Sequence, residues 1–285
     1  MLEDLELLRT SNAEMISLDS TTKFYAGFEA ISPASIRIKK GERVVFLGPT
    51  GSGKTTLLLL ISGQLSPTSG RVTLDGIDLK SIQSGRNLSR LVGMIPQQFD
   101  LVPNLSVLHN VLAGRLGEWG FFRALFSLIF PQESLWATNA LDRVGLAGLA
   151  NSRGGNLSGG EQQRVAIARL LVQDPAVILA DEPVASLDPT RGEEILKLLL
   201  AIAGAEKTLI ASMHSVSLAR SYFNRVIGVR NGSLHFDLPT EMVTNTMLDE
   251  LYSLEGLRNA RQGTESSSSP NNSSIRDVPM EPYKN

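Results

Sequence analysis

Residues 44–61 read VVFLGPTGSGKTTLLLLI, and the architecture of the chain follows from this stretch. The apolar run at 44–47 predicts a strand buried on both faces, and residues 56–61 predict a helix that stops near Gly63. Between them, residues 48–55 satisfy the pattern G-x-x-x-x-G-K-[ST]. Glycines let successive backbone N–H groups point at phosphate oxygens, and the helix N-terminus adds its dipole. The stretch therefore predicts a site for a nucleoside triphosphate.

Two side chains of this phosphate cradle (residues 48–56) are expected to bind the nucleotide or its metal directly. Lys54 is expected to reach the β- and γ-phosphates, and the Thr55 hydroxyl to help hold Mg²⁺. A Gly/Ser-rich turn that matches by chance is the alternative, and the flanking strand and helix argue against it. The predicted nucleotide-binding residues of the cradle are Gly48, Pro49, Thr50, Gly51, Ser52, Gly53, Lys54, Thr55 and Thr56.

A second predicted strand, residues 176–180, is followed at once by Asp181 and Glu182. Ligands of open parallel sheets lie at the carboxyl ends of the strands, so both acids are expected near the cradle. Asp181 suits Mg²⁺ through water, and Glu182 suits a base that orients or deprotonates the attacking water. Alone, the pair could simply open a loop before Pro183. The cradle upstream favours the functional interpretation.

The remaining pattern predicts an α/β protein. Strands alternate with helices on both sides of a segment with helical periodicity, which indicates an α/β core with an inserted α-helical subdomain at about 98–175. Further strands are expected at 35–39, 71–74, 92–95, 208–212 and 226–229, and a helix at 193–202. We expect one domain over 1–257 and a disordered, Ser/Asn-rich tail over 258–285.

Composition excludes several classes of protein. The 285 residues hold 27 Lys+Arg against 29 Asp+Glu, so no basic surface for nucleic acid is indicated. The absence of cysteine excludes disulfides, thiolate zinc sites and cysteine nucleophiles. The acidic start MLEDLE does not resemble a secretory signal. No apolar run approaches the ~20 residues of a spanning helix.

Residues 157–164, LSGGEQQR, lie in the sequence between the phosphate cradle and the Asp181–Glu182 pair. Alone they predict a turn that enters a helix, with Ser158 as its N-cap. Together with the cradle and the Asp181–Glu182 pair, they resemble the signature motif of ATP-binding-cassette (ABC) ATPases. That resemblance implies a P-loop NTPase ABC cassette, with a RecA-like core, an N-terminal antiparallel β subdomain and an inserted helical subdomain.

The other motifs of the family appear in the family's order. Tyr25 resembles the aromatic that stacks on adenine, although Phe24 and Phe28 lie close by. Gln97 resembles the Q-loop glutamine and is preferred to Gln98 because it follows the strand-like residues 92–95 more closely. Residues 186–188 resemble the D-loop, and His214 resembles the switch histidine.

The resemblance implies an ATPase mechanism in which ATP and Mg²⁺ bind between two cassettes. A symmetric homodimer, arranged head to tail, would complete two sites. The signature residues Ser158, Gly159, Gly160 and Glu161 would face the nucleotide in the partner's cradle. Glu182 would polarise water, His214 would hold the γ-phosphate, and Gln97 would contact Mg²⁺ and link the nucleotide to the helical subdomain. Thr55, Gln97 and Asp181 are thus the expected metal ligands.

Residues 97–107, 111–117, 180–189 and 227–232, and the insert Phe121–Phe130, resemble the phosphonate-import ATPases. This implies a peripheral subunit on the cytoplasmic face of the bacterial inner membrane, bound to integral-membrane permease subunits and served indirectly by an extracytoplasmic solute-binding protein. The apolar insert either packs inside the helical subdomain or forms a groove for a permease helix. Alternatives are a phosphite or phosphate importer, an ABC ATPase that drives a membrane complex without moving a nutrient, and, more remotely, a P-loop kinase.

Overall fold

The computed structural model describes residues 13–82, 85–119, 134–185 and 187–253. The chain divides into two compact units, Met1–Leu251 and Tyr252–Asn285, and everything described below belongs to the first. The apolar insert Phe121–Phe130, Ser186 of the D-loop and the tail 258–285 lie outside the described residues. The boundaries expected for the domain and the helical subdomain stay predictions. Among the described helices, none has both the length and the apolar character needed to cross a bilayer.

The strands and helices of the described residues are as follows in chain order. The strands are β1 (Glu14–Tyr25), β2 (Phe28–Lys39), β3 (Arg43–Leu47), β4 (Ser69–Leu74), β5 (Ile77–Asp78), β6 (Val92–Ile95), β7 (Val177–Asp181), β8 (Thr208–Met213), β9 (Arg225–Arg230) and β10 (Ser233–Pro239). The helices are α1 (Lys54–Ile61), α2 (Gly85–Leu91), α3 (Val107–Leu112), α4 (Ser134–Arg143), α5 (Gly159–Gln173), α6 (Pro189–Ala203) and α7 (Val216–Tyr222). A further helix begins at residue 245. Short 3₁₀ turns occupy Leu79–Ser81, Ala113–Arg115, Ala147–Leu149, Gly154–Asn156 and Thr240–Met242.

The strands form two sheets of different character. The first is antiparallel, in the order β2-β1-β4-β5, and its β1–β2 hairpin brings Tyr25 opposite Phe28. The second has the order β10-β9-β3-β8-β7-β6, and its neighbours from β9 to β6 are parallel. Only β10 runs antiparallel, as a hairpin with β9 at the sheet edge. The loops after β3, β6, β7 and β8 therefore meet at one edge of the sheet, where a ligand is expected.

Helix α1 lies in the main core and packs against strands of both sheets. Its residues Leu57, Leu58, Leu60 and Ile61 are fully buried, which is why its sequence is apolar on nearly every side. The burial fixes the helix axis, and with it the position of Lys54 and Thr55 at the helix N-terminus. The core thus holds the cradle rigidly at the sheet edge.

The expected strands are all present, and β2 and β4 are longer than their patterns indicated. Helix α6 begins four residues before the predicted start at 193, because Asp188 accepts a hydrogen bond from the Arg191 N–H and Pro189 occupies the first turn. Between β6 and β7, α5 packs against both α3 and α4. The helical periodicity expected between the strands therefore corresponds to helices in the described part of that segment.

Candidate nucleotide-binding site

The loop after β3 has the backbone shape that a phosphate requires. Gly51 and Gly53 adopt left-handed φ values of +76° and +109°. At Gly53 a Cβ would also lie 3.1 Å from the Ala30 carbonyl oxygen and 2.7 Å from Cδ1 of Ile31, so the left-handed φ and the close backbone both favour glycine there. Gly53 is the N-cap of α1 and contributes no side-chain bond to the first N–H groups of the helix. Those groups face the loop, as an anion site at a helix start needs.

Lys54 lies across this loop. Its side chain is buried, and Nζ donates to the carbonyl oxygens of Gly48 at 2.8 Å and Pro49 at 3.0 Å. The ammonium group is thereby held inside the curl of backbone N–H groups. A phosphate that enters the loop meets a cation already positioned for it.

A chain of hydroxyl and carboxyl groups connects α1 to β7 and β8. Thr55 Oγ1 donates to Asp181 Oδ1 at 3.1 Å, and Ser212 Oγ donates to the same oxygen at 2.5 Å. The Ser212 Oγ also accepts the backbone N–H of Glu182 at 2.9 Å. Asp181 and Ser212 are both buried, and they are direct neighbours in the parallel register of β7 and β8. Thr55 and Asp181 therefore present hard oxygen atoms side by side.

Glu182 is held from two further elements. Gln97 Nε2, in the loop after β6, donates to Glu182 Oε2 at 3.1 Å. His214 Nε2, just after β8, lies 2.6 Å from Glu182 Oε1. The backbone of Glu182 has a left-handed φ of +48°, which is unusual for a residue with a side chain. The carboxylate at the end of β7 is therefore oriented by two groups, one after β6 and one after β8.

A cavity of about 440 Å³ joins these groups to the β1–β2 hairpin. Tyr25 lies on its wall, and Lys23 Nζ lies 5.2 Å from the centroid of the Tyr25 ring. Phe28 lines the same cavity, whereas Phe24 does not. The residues around the cavity are Tyr25, Phe28, Ala30, Thr50, Gly51, Ser52, Gly53, Lys54, Thr55, Thr56, Gln97 and Glu182.

The signature residues start α5 and line a different cavity of about 590 Å³. Ser158 and Glu161 form a reciprocal capping box: Glu161 N donates to Ser158 Oγ, and Glu161 Oε2 accepts from both the Ser158 N–H and hydroxyl. These bonds, that of the Ser158 side chain first, hold the pKa of Glu161 below its usual value. Gly159 and Gly160 have open space where a Cβ would be. The motif is thus presented on an exposed helix start.

The structure brings most, but not all, of the predicted site residues together. The cradle, Gln97, Asp181, Glu182 and His214 converge, and Tyr25 shares their cavity. Ser158, Gly159, Gly160 and Glu161 line a cavity that includes Gln97 and Glu182 but no cradle residue.

Of the two candidate glutamines, Gln97 contacts Glu182, while Gln98 lines a neighbouring depression with Gln162. Sequence reasoning missed Ser212, Lys23 and Gln163, whose side chain is buried and donates to the Pro183 carbonyl. Only the register of β8 against β7 could have indicated Ser212.

Comparison with known proteins agrees with this geometry. The family model described as "ABC transporter" matches residues 31–185. The chain belongs to the ABC transporter family. ATP hydrolysis is the general activity of such cassettes, and the expected fold class and family are confirmed.

Curated relatives of this cassette match most of the chain. A phosphonates import ATP-binding protein of Pseudomonas putida is 42% identical over 251 residues, 87% of this chain and 93% of the relative. A protein of the same name from Thiobacillus denitrificans is 45% identical over 245 residues, 85% of this chain and 94% of its own.

Solved cassettes have the same fold. A dimeric bacterial ABC transporter cassette, MJ0796, is 32% identical with a TM-score of 0.69 and covers 79% of this chain and 99% of its own. The ADP conformation of the cassette MJ1267 is 25% identical with a TM-score of 0.72, and covers 85% of this chain and 98% of its own.

The donors present suit a magnesium ion held jointly with a nucleotide. No cluster of three or more His, Cys, Asp or Glu side chains that could hold a metal occurs among the described residues. Thr55 and Asp181 supply two oxygen groups, and Mg²⁺ in such sites takes its other ligands from phosphates and water. The Nε2 of Gln97 is bonded to Glu182, so its amide oxygen is the atom it could offer to a metal.

Proposed function

We propose that this cassette is the ATP-hydrolysing subunit of an importer for phosphonates. The observation that supports hydrolysis is that Lys54, Thr55, Gln97 and Glu182 line one cavity. Asp181 is joined to this group because it accepts a hydrogen bond from the Thr55 hydroxyl. The cargo is inferred from relatives that are named phosphonates import ATP-binding proteins. The transported solute need never contact this chain, so the residues of the chain serve ATP hydrolysis and do not bind the cargo.

In this proposal, ATP lies with its base on the Tyr25 ring and its phosphates in the cradle. Backbone N–H groups of residues 51–55 and the Lys54 ammonium neutralise the β- and γ-phosphates. Thr55, Asp181 through water and the Gln97 amide oxygen would hold Mg²⁺, which would supply further neutralisation of the phosphate charge when bound. The Lys23 ammonium lies over the Tyr25 ring and makes the ring less electron-rich, which favours stacking on a purine.

Glu182 is the group that orients the attacking water. Water adds to the γ-phosphorus, the bond to the β–γ bridging oxygen breaks, and the proton of the water passes towards the Glu182 carboxylate. Gln97 and His214 each bond one oxygen of that carboxylate, so both fix its plane. His214 is also the group that meets the γ-phosphate oxygens once they enter beside Glu182.

We further propose that two copies assemble head to tail. Ser158, Gly159 and Gly160 lie on an exposed helix start away from the chain's own cradle, so a second copy would supply them to each ATP. The dimer would act on integral-membrane permease subunits from the cytoplasmic face of the membrane, with an extracytoplasmic solute-binding protein delivering the cargo on the other side. Closure on ATP and reopening after hydrolysis would provide the motion.

The test is solute uptake in cells that carry the wild-type chain, Glu182→Gln, or Glu241→Gln as a matched control. Glu241 is exposed in the short turn Thr240–Met242, so the same change there removes a charge outside the site. We expect Glu182→Gln alone to abolish ATP hydrolysis and phosphonate uptake. Selective loss of phosphite or phosphate uptake would keep the ATPase and change the cargo. Normal uptake of all three solutes would refute the importer and favour an ABC ATPase that drives another membrane complex.

A further inference from the structure

Ser212 is a buried hydroxyl between the two acidic residues of the site. It is fully buried, and it lies in β8 directly beside Asp181 of β7. Its Oγ donates to Asp181 Oδ1 and accepts from the Glu182 N–H, so the single hydrogen and a lone pair of the hydroxyl are both used. One side chain therefore bonds the side chain of the first acid and the backbone of the second.

The two hydrogen bonds of Ser212 restrain the backbone of Glu182 and the carboxylate of Asp181. Glu182 has a left-handed φ of +48°, a conformation that a residue with a side chain keeps only where its surroundings hold it. The bond from its N–H to Ser212 fixes the peptide plane between residues 181 and 182, and so the direction in which the Glu182 side chain leaves the backbone. Asp181 Oδ1 already receives the Thr55 hydroxyl, so a second donor locks the rotation of this carboxylate.

We propose that Ser212 is a positioning residue that sets the geometry of the metal-facing carboxylate and of the catalytic glutamate together. This inference rests on the proposed ATPase function. Ser212 touches neither nucleotide nor water in it, and acts through Asp181 and Glu182. It couples the two acids, so that a displacement of one is transmitted to the other through a single oxygen atom.

Removing the hydroxyl has a specific expected signature. In Ser212→Ala the Glu182 N–H loses its acceptor and Asp181 loses one of two donors, while the Tyr25 wall and the cradle are untouched. The turnover number kcat should therefore fall by about ten-fold or more, with the KM for ATP changed by less than about two-fold. Affinity for Mn²⁺, as a probe of the metal position in the ADP-bound protein, should fall by about three-fold or more.

The experiment compares full-length wild type, Ser212→Ala, Ser212→Thr and Ser62→Ala. Ser62 is also a buried serine and donates to the Leu59 carbonyl at 3.0 Å, at the opposite end of α1 from the cradle. It is the matched control for loss of a buried hydroxyl. Each protein is measured for kcat and KM, for Mn²⁺ binding with ADP by electron paramagnetic resonance, and for thermal unfolding. Alanine is smaller than serine, so Ser212→Ala introduces no clash.

The expected result is a loss of kcat and of Mn²⁺ affinity in Ser212→Ala only, with restoration by Ser212→Thr, which keeps the hydroxyl. Wild-type kcat and Mn²⁺ affinity in folded Ser212→Ala would overturn the proposal. So would equal losses in Ser62→Ala, since these would show a general packing effect. A further variant, Glu182→Gln, distinguishes failure of the Ser212 proposal from failure of the proposed ATPase function. If wild type and Glu182→Gln hydrolyse ATP equally, the ATPase assignment fails. The Mn²⁺ measurement still tests the role of Ser212 in that case.

Discussion

Asn110 in α3 offers a quantitative test of how the Q-loop segment is anchored. The residue is buried, its Oδ1 accepts from the Val102 N–H at 2.8 Å, and its Nδ2 donates to the carbonyl oxygens of Val102 and Ser106, both at 3.1 Å. These bonds fasten the loop that follows Gln97 to the helix. Asn110→Ala removes these three hydrogen bonds, together with a longer one from Nδ2 to the Leu105 carbonyl oxygen at 3.4 Å.

The magnitude follows from the number of bonds and their exposure. Each contributes about 0.5–1.5 kcal/mol, so three give roughly 1.5–4.5 kcal/mol. Residues 102–104 are exposed, so water can replace some of the lost hydrogen bonds. Alanine also has a higher helix propensity than asparagine, which recovers about 0.5 kcal/mol. We expect a destabilisation of about 2 kcal/mol, which is about 4–8 °C in the thermal midpoint for a domain of this size.

The assay is thermal and urea unfolding of Asn110→Ala beside Asn104→Ala, with ATP hydrolysis measured on both. Asn104 is an exposed residue of the same loop, and its substitution should change the midpoint by less than about 1 °C. ATP hydrolysis should fall in Asn110→Ala alone, because the loop carries Gln97 into the site. Equal midpoints for the two variants would refute the idea that Asn110 anchors this loop.

Three further predictions concern the nucleotide site and its partner surface. Gly53→Ala should weaken ATP binding, measured by calorimetry, more than Gly51→Ala does. Both glycines have a left-handed φ, but a Cβ at residue 53 would also meet the Ala30 carbonyl oxygen at 3.1 Å and Ile31 Cδ1 at 2.7 Å, whereas nothing lies within 4 Å of a Cβ at residue 51. The reverse order would contradict this. Tyr25→Ala should raise the KM for ATP by about ten-fold and Tyr25→Phe by less than about two-fold, as expected of stacking; equal effects would point to the hydroxyl instead. Ser158→Ala should cost about 1 kcal/mol in urea unfolding through the lost cap, and should also lower ATP hydrolysis; unchanged unfolding would contradict the role of the cap.

Much of the site was predictable because its chemistry is encoded in contiguous residues. The cradle and the Asp181–Glu182 pair each follow an apolar strand, and parallel strands bring their carboxyl ends to one sheet edge. That rule was enough to place Lys54, Thr55, Asp181 and Glu182 together. The capping box at Ser158 and Glu161 is likewise readable from residues three apart. Local periodicity also predicted β2 to β4 and β6 to β9. It missed β1, β5 and β10, and the early start of α6, where a cap and a proline replace apolar spacing.

The contacts between segments far apart in sequence needed the tertiary structure. Ser212 reads as an ordinary small residue in an apolar strand, and only the pairing of β8 with β7 brings its hydroxyl to Asp181. Asn110 and Gln163 read as polar positions on helices, yet both are buried against loops whose paths the sequence does not specify. The sequence by itself determined which groups are expected to meet the phosphates, because that chemistry depends on residue type and local spacing. The tertiary structure alone decided which buried polar groups hold them in place, because a hydrogen bond between distant segments depends on strand register and loop path.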